Sequence, residues 1–218
     1  MSLNGTGSDN MLIYLIYAPL NILLMLLCYL TNPIVVLFAD ERGELHGFLK
    51  YWQTWDDSLD PAFYVKKKVP KFLRYDYDRH YQEYWNTTPK LAGLGRDRCF
   101  VKLLDKHFTV KERIQRYFCR VLWLTRNCGY GFAFYVFGRK VVGKSCFKKI
   151  YHFDSQGHYV KYLVDKTRNV FLRPWSYKNT WKINKKLRWE VYLGWKINED
   201  QERLQQCMIA HRIALRPV

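Results

Sequence analysis

Asp56, Ser58 and Asp60 alternate along the stretch YWQTWDDSLDP, Tyr51 to Pro61, and set three oxygen-bearing side chains at the spacing from which a calcium loop takes its first ligands. The pattern then breaks. The sixth position, which needs glycine for the sharp turn, is Pro61, and the twelfth, which needs a bidentate glutamate, is Lys67. The same residues also suit an ordinary turn, because Asp and Ser oxygens accept from nearby backbone N–H groups and Pro61 fits a first helical position. Paired carboxylates can divide acid and base roles, and Asp56 or Asp57 could do so with Asp60, but nothing in the sequence places a substrate between them.

Other constellations carry less chemistry. His152, Asp154 and His158 bracket a hairpin signal without a third and fourth metal ligand. The six cysteines include no C-x-x-C pair and read as reduced, mostly buried thiols. There is no P-loop, no G-x-S-x-G and no H-E-x-x-H. The expectation is a protein without enzymatic activity or cofactor, with Asp56, Ser58 and Asp60 as its sole cation-site candidate.

The elements that position these residues begin with an apolar leader. Residues 11–30, MLIYLIYAPLNILLMLLCYL, carry no charge over about the 20 residues that a spanning helix needs. The apolar run continues past Asn32-Pro33 to Asp40, which leaves a tilted span and a re-entrant hairpin both open. No Lys or Arg precedes it, so it lacks the positive region of a signal peptide. All 36 Lys and Arg lie at or beyond Arg42, and by the positive-inside rule the basic part faces the cytoplasm.

A formal net charge of +17 favours an anionic partner: lipid head groups, nucleic acid or an acidic protein. Lys66, Lys67, Lys68, Lys71 and Arg74 cluster among tyrosines, which suits a membrane interface and equally single-stranded nucleic acid. Thr109 and Glu112 form a capping-box pattern ahead of a helix that runs to about Arg126, with Val110, Ile114 and Phe118 on one side. Arg113, Arg116 and Arg120 share a different face and complete the candidate anion-binding set. Beyond Gly129, short aromatic and β-branched runs starting with YGFAFYVFG predict five or six antiparallel strands, with a turn at Asp154 to Gly157. The predicted architecture is α+β: a polar tail (1–10), an apolar membrane-associated segment (11–39), and one basic domain (40–218) of helices packed on a curled antiparallel sheet.

Three stretches together, WQTWDDSLDP, RVLWLTRNCGYGF and GWK, resemble an uncharacterised family of tailed-bacteriophage proteins over nearly the whole chain. The matching residues are Gln53, Thr54, Asp56, Ser58, Leu59, Asp60, Trp123, Leu124, Arg126, Asn127, Tyr130, Gly131 and Phe132; Trp55 stands where proline is usual, and Pro61 where glycine is usual. The resemblance implies phage origin and transfers no activity. It implies that the two motif clusters are neighbours, with Gln53, Asp56 and Asp60 held by Arg126 and Asn127 in a polar network. The functional expectation is a phage-encoded accessory protein at the host inner membrane, binding anionic lipid or a host or phage membrane protein. The alternative is a nucleic-acid binder in the virion or cytoplasm whose leader is buried in a core or interface. A metal-dependent hydrolase is the third reading.

Overall fold

A computed structural model describes residues 8–54, 57–85, 99–140, 147–153, 159–165, 175–196 and 206–217. The fold is α+β, with a long apolar N-terminal helix and antiparallel sheets. Where the sequence reading has one domain from residue 40 onward, the chain packs as two compact units, Leu23–Phe132 and Met1–Ile22 with Ala133–Val218.

Helix α1 spans Ser8–Val35 without interruption. Its 28 residues rise about 42 Å at 1.5 Å each, longer than the ~30 Å hydrocarbon core of a bilayer. Asn32-Pro33 lies inside the helix and makes no hairpin; the chain leaves it through a 3-10 turn at Val36–Phe38. The sides of α1 have an unusual polarity. Tyr14, Ala18, Asn21, Cys28, Asn32 and Val35 are buried, whereas Leu12, Leu15, Ile16, Leu23, Leu26, Leu30 and Ile34 are exposed. Asn21 and Asn32 are each 1% exposed, Leu30 78%.

The unit Leu23–Phe132 is built of short elements around one long helix. Helix α2 (Ala62–Lys67), a 3-10 turn (Lys71–Leu73) and helix α3 (Tyr77–His80) lead into a two-stranded antiparallel ribbon, β1 (Tyr81–Trp85) with β2 (Cys99–Leu103). Helix α4 (Val110–Arg126) follows, and its N-terminus forms the capping box that the sequence predicts. The Thr109 hydroxyl accepts from the Glu112 N–H at 3.3 Å, and the Glu112 carboxylate accepts from the Thr109 N–H at 2.9 Å. Buried His80 stacks on Phe108 at 3.7 Å, with Nε2 3.1 Å from Glu112 Oε1 and Nδ1 3.0 Å from the Asp105 carbonyl. The start of α4 is thereby fixed to α3.

The other unit holds a six-stranded antiparallel sheet in the order β3-β8-β7-β6-β5-β4. Its strands are β3 (Arg139–Lys140), β4 (Phe147–Phe153), β5 (Tyr159–Asp165), β6 (Trp175–Lys182), β7 (Leu187–Lys196) and β8 (Gln206–Pro217). Strands β4 to β8 form a meander with long registers, such as Leu187↔Pro217 through Lys196↔Met208. The rings of Trp175 and Trp195 pack edge-on against Tyr14 at 5.0 and 5.8 Å, and the Tyr14 hydroxyl donates to the Ala210 carbonyl at 3.0 Å. Trp195 donates from Nε1 to the Phe137 carbonyl at 2.9 Å, which satisfies its one polar atom in the core.

YGFAFYVFG is not a strand. Phe132–Val136 forms a π-helical turn in which Phe132, Ala133 and Phe134 are all buried. A half-solvated strand alternates and would expose the middle one. The turn at Asp154 to Gly157, Asp154 and His158 lie outside the described residues, although the β4–β5 register closing at Phe153↔Tyr159 brackets them.

Candidate functional site

Asp60 is the centre of the unit Leu23–Phe132. It is 1% exposed and follows a turn in which its own N–H donates to Ser58 Oγ at 3.2 Å. Its carboxylate does not turn back to the loop. Arg120 donates from Nε to both oxygens at 3.1 Å and from Nη2 to Oδ2 at 2.6 Å. Arg116 donates to Oδ2 from Nε at 3.2 Å and Nη2 at 3.0 Å. The Tyr75 hydroxyl donates to Oδ1 at 3.1 Å and the Tyr81 hydroxyl to Oδ2 at 2.8 Å. Five side chains from α4, β1 and two loops thus converge on one point.

The charges are balanced locally. One carboxylate faces two guanidiniums, and the surplus positive charge meets backbone oxygens: Arg120 Nη2 donates to the Asp40 carbonyl at 3.1 Å and Arg116 Nη2 to that of Glu41. Burial alone would raise the Asp60 pKa, but the charges and hydrogen bonds of Arg120 and Arg116 outweigh it and hold the carboxyl well below the usual range. The same pair raises Arg120 against the opposing effect of its own burial. The Tyr75 and Tyr81 hydroxyls are pushed up by burial and by the adjacent Asp60 charge, so both stay protonated donors.

The loop that supplies the carbonyls is shaped to fit. Asp40 Oδ1 accepts from the N–H groups of Arg42 and Glu44 at 2.9 and 2.8 Å, an Asx turn that brings Gly43 over the ion pair. Gly43 has φ +78°, and a Cβ there would lie 2.7 Å from Asp60 Oδ2. Gln53 closes the loop from the other side: Oε1 accepts from Leu45 N–H at 2.8 Å, while Nε2 donates to Glu44 Oε2 at 2.8 Å and the Asp57 carbonyl at 2.9 Å. Thr54 Oγ1 donates to that same carbonyl at 3.1 Å.

The two motif clusters meet through backbone and rings. A Cβ on Gly131 would sit 2.4 Å from the Tyr51 carbonyl oxygen and 2.7 Å from that of Gln53, so only glycine allows this approach. Phe132 stacks on Tyr51 at 5.5 Å and meets Trp52 edge-on at 4.9 Å.

The expected cations are replaced by others. Arg126 lies over the Tyr64 ring at 5.4 Å and Asn127 Nδ2 caps the Trp123 carbonyl at 3.0 Å, while Arg116 and Arg120 hold Asp60. The reason is helical spacing: Arg116 and Arg120 share a face with Leu124 and reach the core, whereas Arg126 is exposed at the end of α4. The anion that Arg116 and Arg120 bind is therefore the protein's own carboxylate. Arg113, the third member of that stripe, is exposed and donates from Nε to the Phe108 carbonyl at 3.2 Å. Of the other candidate bases, Lys66 pairs with Asp78 and Arg74 donates to the Val69 carbonyl at 2.6 Å. Lys67, Lys68 and Lys71 are exposed and make no ion pair among the described residues. Asp56 lies outside the described residues.

The arrangement leaves Asp60 no capacity for a divalent cation, since its lone pairs are occupied by donors and two guanidiniums repel a second positive ion. Among the described residues no group of three His, Cys, Asp or Glu is placed to hold a metal. The sequence reading missed Tyr75 and Tyr81 as donors and Gly43 as the cover. The one available signal was that Arg116 and Arg120 stand at i, i+4 with Cys119, Trp123 and Leu124 around them, a core setting for two bases.

The fold and this centre define an α+β protein organised around a buried arginine–carboxylate cluster with a structural role. The chain belongs to a family of unknown function, DUF7338, whose family model matches residues 8–217. No curated protein and no solved structure matches it.

Proposed function

We propose that this is a phage-encoded, membrane-associated accessory protein of the host inner membrane, whose basic cytoplasmic surface engages anionic lipid or a membrane protein partner. The polarity of α1 carries this reading. In a soluble protein an amphipathic helix buries its leucines and exposes its amides. Here Asn21 and Asn32 face the protein, with Asn32 Nδ2 3.8 Å from Cys128 Sγ and Asn21 Nδ2 3.4 Å from His211 Nε2, while Leu12, Leu23 and Leu30 face outward. The helix over Leu12–Phe38 is long and apolar enough to cross a membrane. Outward leucines in water would be an aggregation liability, whereas in lipid they are the preferred surface.

The inward turn of Arg116 and Arg120 weighs against nucleic acid, because it removes two bases from the face that would meet phosphate. The deciding experiment expresses the full chain in bacterial cells and washes the membranes with high salt and then carbonate. Retention through both washes supports the reading. Release by salt alone would overturn it and make nucleic-acid binding the next assay.

A further inference from the structure

Helix α4 repeats the inverted polarity of α1. Val110, Ile114 and Phe118 stand at i, i+4 and i+8 and are exposed, Val110 by 76%, while Arg116 and Arg120 of the same helix turn inward to Asp60. Phe72 joins them. Gln115 Nε2 donates to the Phe72 carbonyl at 3.0 Å and Cys119 Sγ to that of Leu73 at 3.2 Å, which pins the 3-10 turn to α4 and leaves the Phe72 ring outside. The side chains line an open groove of about 430 Å³ with almost no polar wall.

Two observations select the occupant. Lys111 lines the groove and Lys71 adjoins Phe72; both are exposed and make no ion pair among the described residues, as is true of Lys67 and Lys68. An apolar strip edged by unpaired lysines complements an anionic lipid surface, with rings in the acyl boundary and ammonium groups at the phosphates. The strip also continues a surface already assigned to lipid. The 3-10 turn Val36–Phe38 packs against α4, the Tyr117 hydroxyl donates to the Pro33 carbonyl at 3.0 Å, and Ile34, Leu37 and Phe38 are exposed beside it.

We propose that α4 and the Phe72 turn form a second membrane contact, seated in the head-group region of an anionic leaflet, so that the unit Leu23–Phe132 rests on the membrane through α4 as well as α1. This rests on the membrane reading of α1, and the test separates the two.

The full-length variants Leu23→Cys and Ile114→Cys are each labelled with an environment-sensitive fluorophore, with the native chain treated in parallel as background. They are then mixed with vesicles of phosphatidylcholine alone or with phosphatidylglycerol, with and without doxyl-labelled lipid. With phosphatidylglycerol present, both positions are expected to shift to the blue and to be quenched by the doxyl group. The Ile114 signal alone is expected to fall on pure phosphatidylcholine or when Lys71→Gln and Lys111→Gln are added. An aqueous Ile114 beside a lipid-exposed Leu23 would overturn the second contact and leave the first. Both positions aqueous would overturn both. A blue-shifted Ile114 before vesicles are added would assign the groove to a second copy of the chain.

Discussion

Arg120 and Asp60 meet through a 2.6 Å contact from Nη2 to Oδ2 with both side chains almost wholly out of water. Such a pair contributes little relative to an apolar replacement, yet removing one partner leaves the other buried and unpaired, at a cost of about 3–5 kcal/mol. Asp60→Ala strands two guanidiniums and is expected to destabilise by at least that range in urea denaturation. Arg126→Ala removes only a cation over the Tyr64 ring and should cost about 0.5–1 kcal/mol. Equal losses in the two variants would contradict the arrangement.

The same centre sets a dependence on acid. The Asp60 pKa is depressed by its arginines, and that of Glu112 is lowered to about 2, chiefly by the Thr109 N–H and hydroxyl. In the unfolded chain these carboxyls titrate near ~4, so below that pH the unfolded state binds more protons and stability falls. The contribution is fully present above the unfolded values and is lost as pH drops through the folded ones. The urea midpoint should therefore decline steadily from about pH 4 towards pH 2. Tyr75 and Tyr81 act in the opposite direction: their raised folded values make the protein less stable as pH rises above ~10, where the unfolded hydroxyls ionise. A midpoint flat across pH 2 to 4 in the native chain, and equally flat in Glu112→Gln, would refute the assignment.

The sequence made the local elements legible because their signals are local. The capping box at Thr109 placed α4 to the residue, and aromatic β-branched runs located β4, β5, β7 and β8. Strand β6 was hidden because its buried positions include Ser176, Asn179 and Thr180, polar residues that do not register as a strand core. Polarity misled most at α4. Arg113, Arg116 and Arg120 read as one anion-binding stripe, yet Arg116 and Arg120 pair internally with Asp60 while Val110, Ile114 and Phe118 face out. Asp60 was legible as a special residue, but its partners lie 56 and 60 residues away in the chain, a relation no spacing encodes.

Two glycines give a steric test. At Gly43 alanine meets a left-handed backbone, about 1–2 kcal/mol, and presses its methyl against Asp60 Oδ2. At Gly131 the obstacle is backbone of the Tyr51 to Gln53 segment, which cannot rotate away as a side chain can, so Gly131→Ala should fall at the upper end of the ~1–3 kcal/mol typical of overpacking. Thermal melts of both variants should lie below the native chain. A native melt for Gly131→Ala would mean that the two motif clusters do not pack as described.

The helix offers the sharpest functional contrast, because α1 carries opposite demands on its two sides. Leu23 is 61% exposed near the middle of the apolar run, and on the membrane reading an arginine there would meet lipid at a cost of about 2.5–3.5 kcal/mol. Leu23→Arg should lower the carbonate-resistant fraction by roughly tenfold or more, at 1.4 kcal/mol per decade, with the β-sheet circular dichroism unchanged. Cys28 is fully buried on the other side, so Cys28→Arg should unfold the unit Leu23–Phe132 instead, whatever surrounds the helix. If Leu23→Arg instead unfolds the protein and leaves no soluble form, the outer leucines are a packing surface for protein, and the membrane reading fails with them.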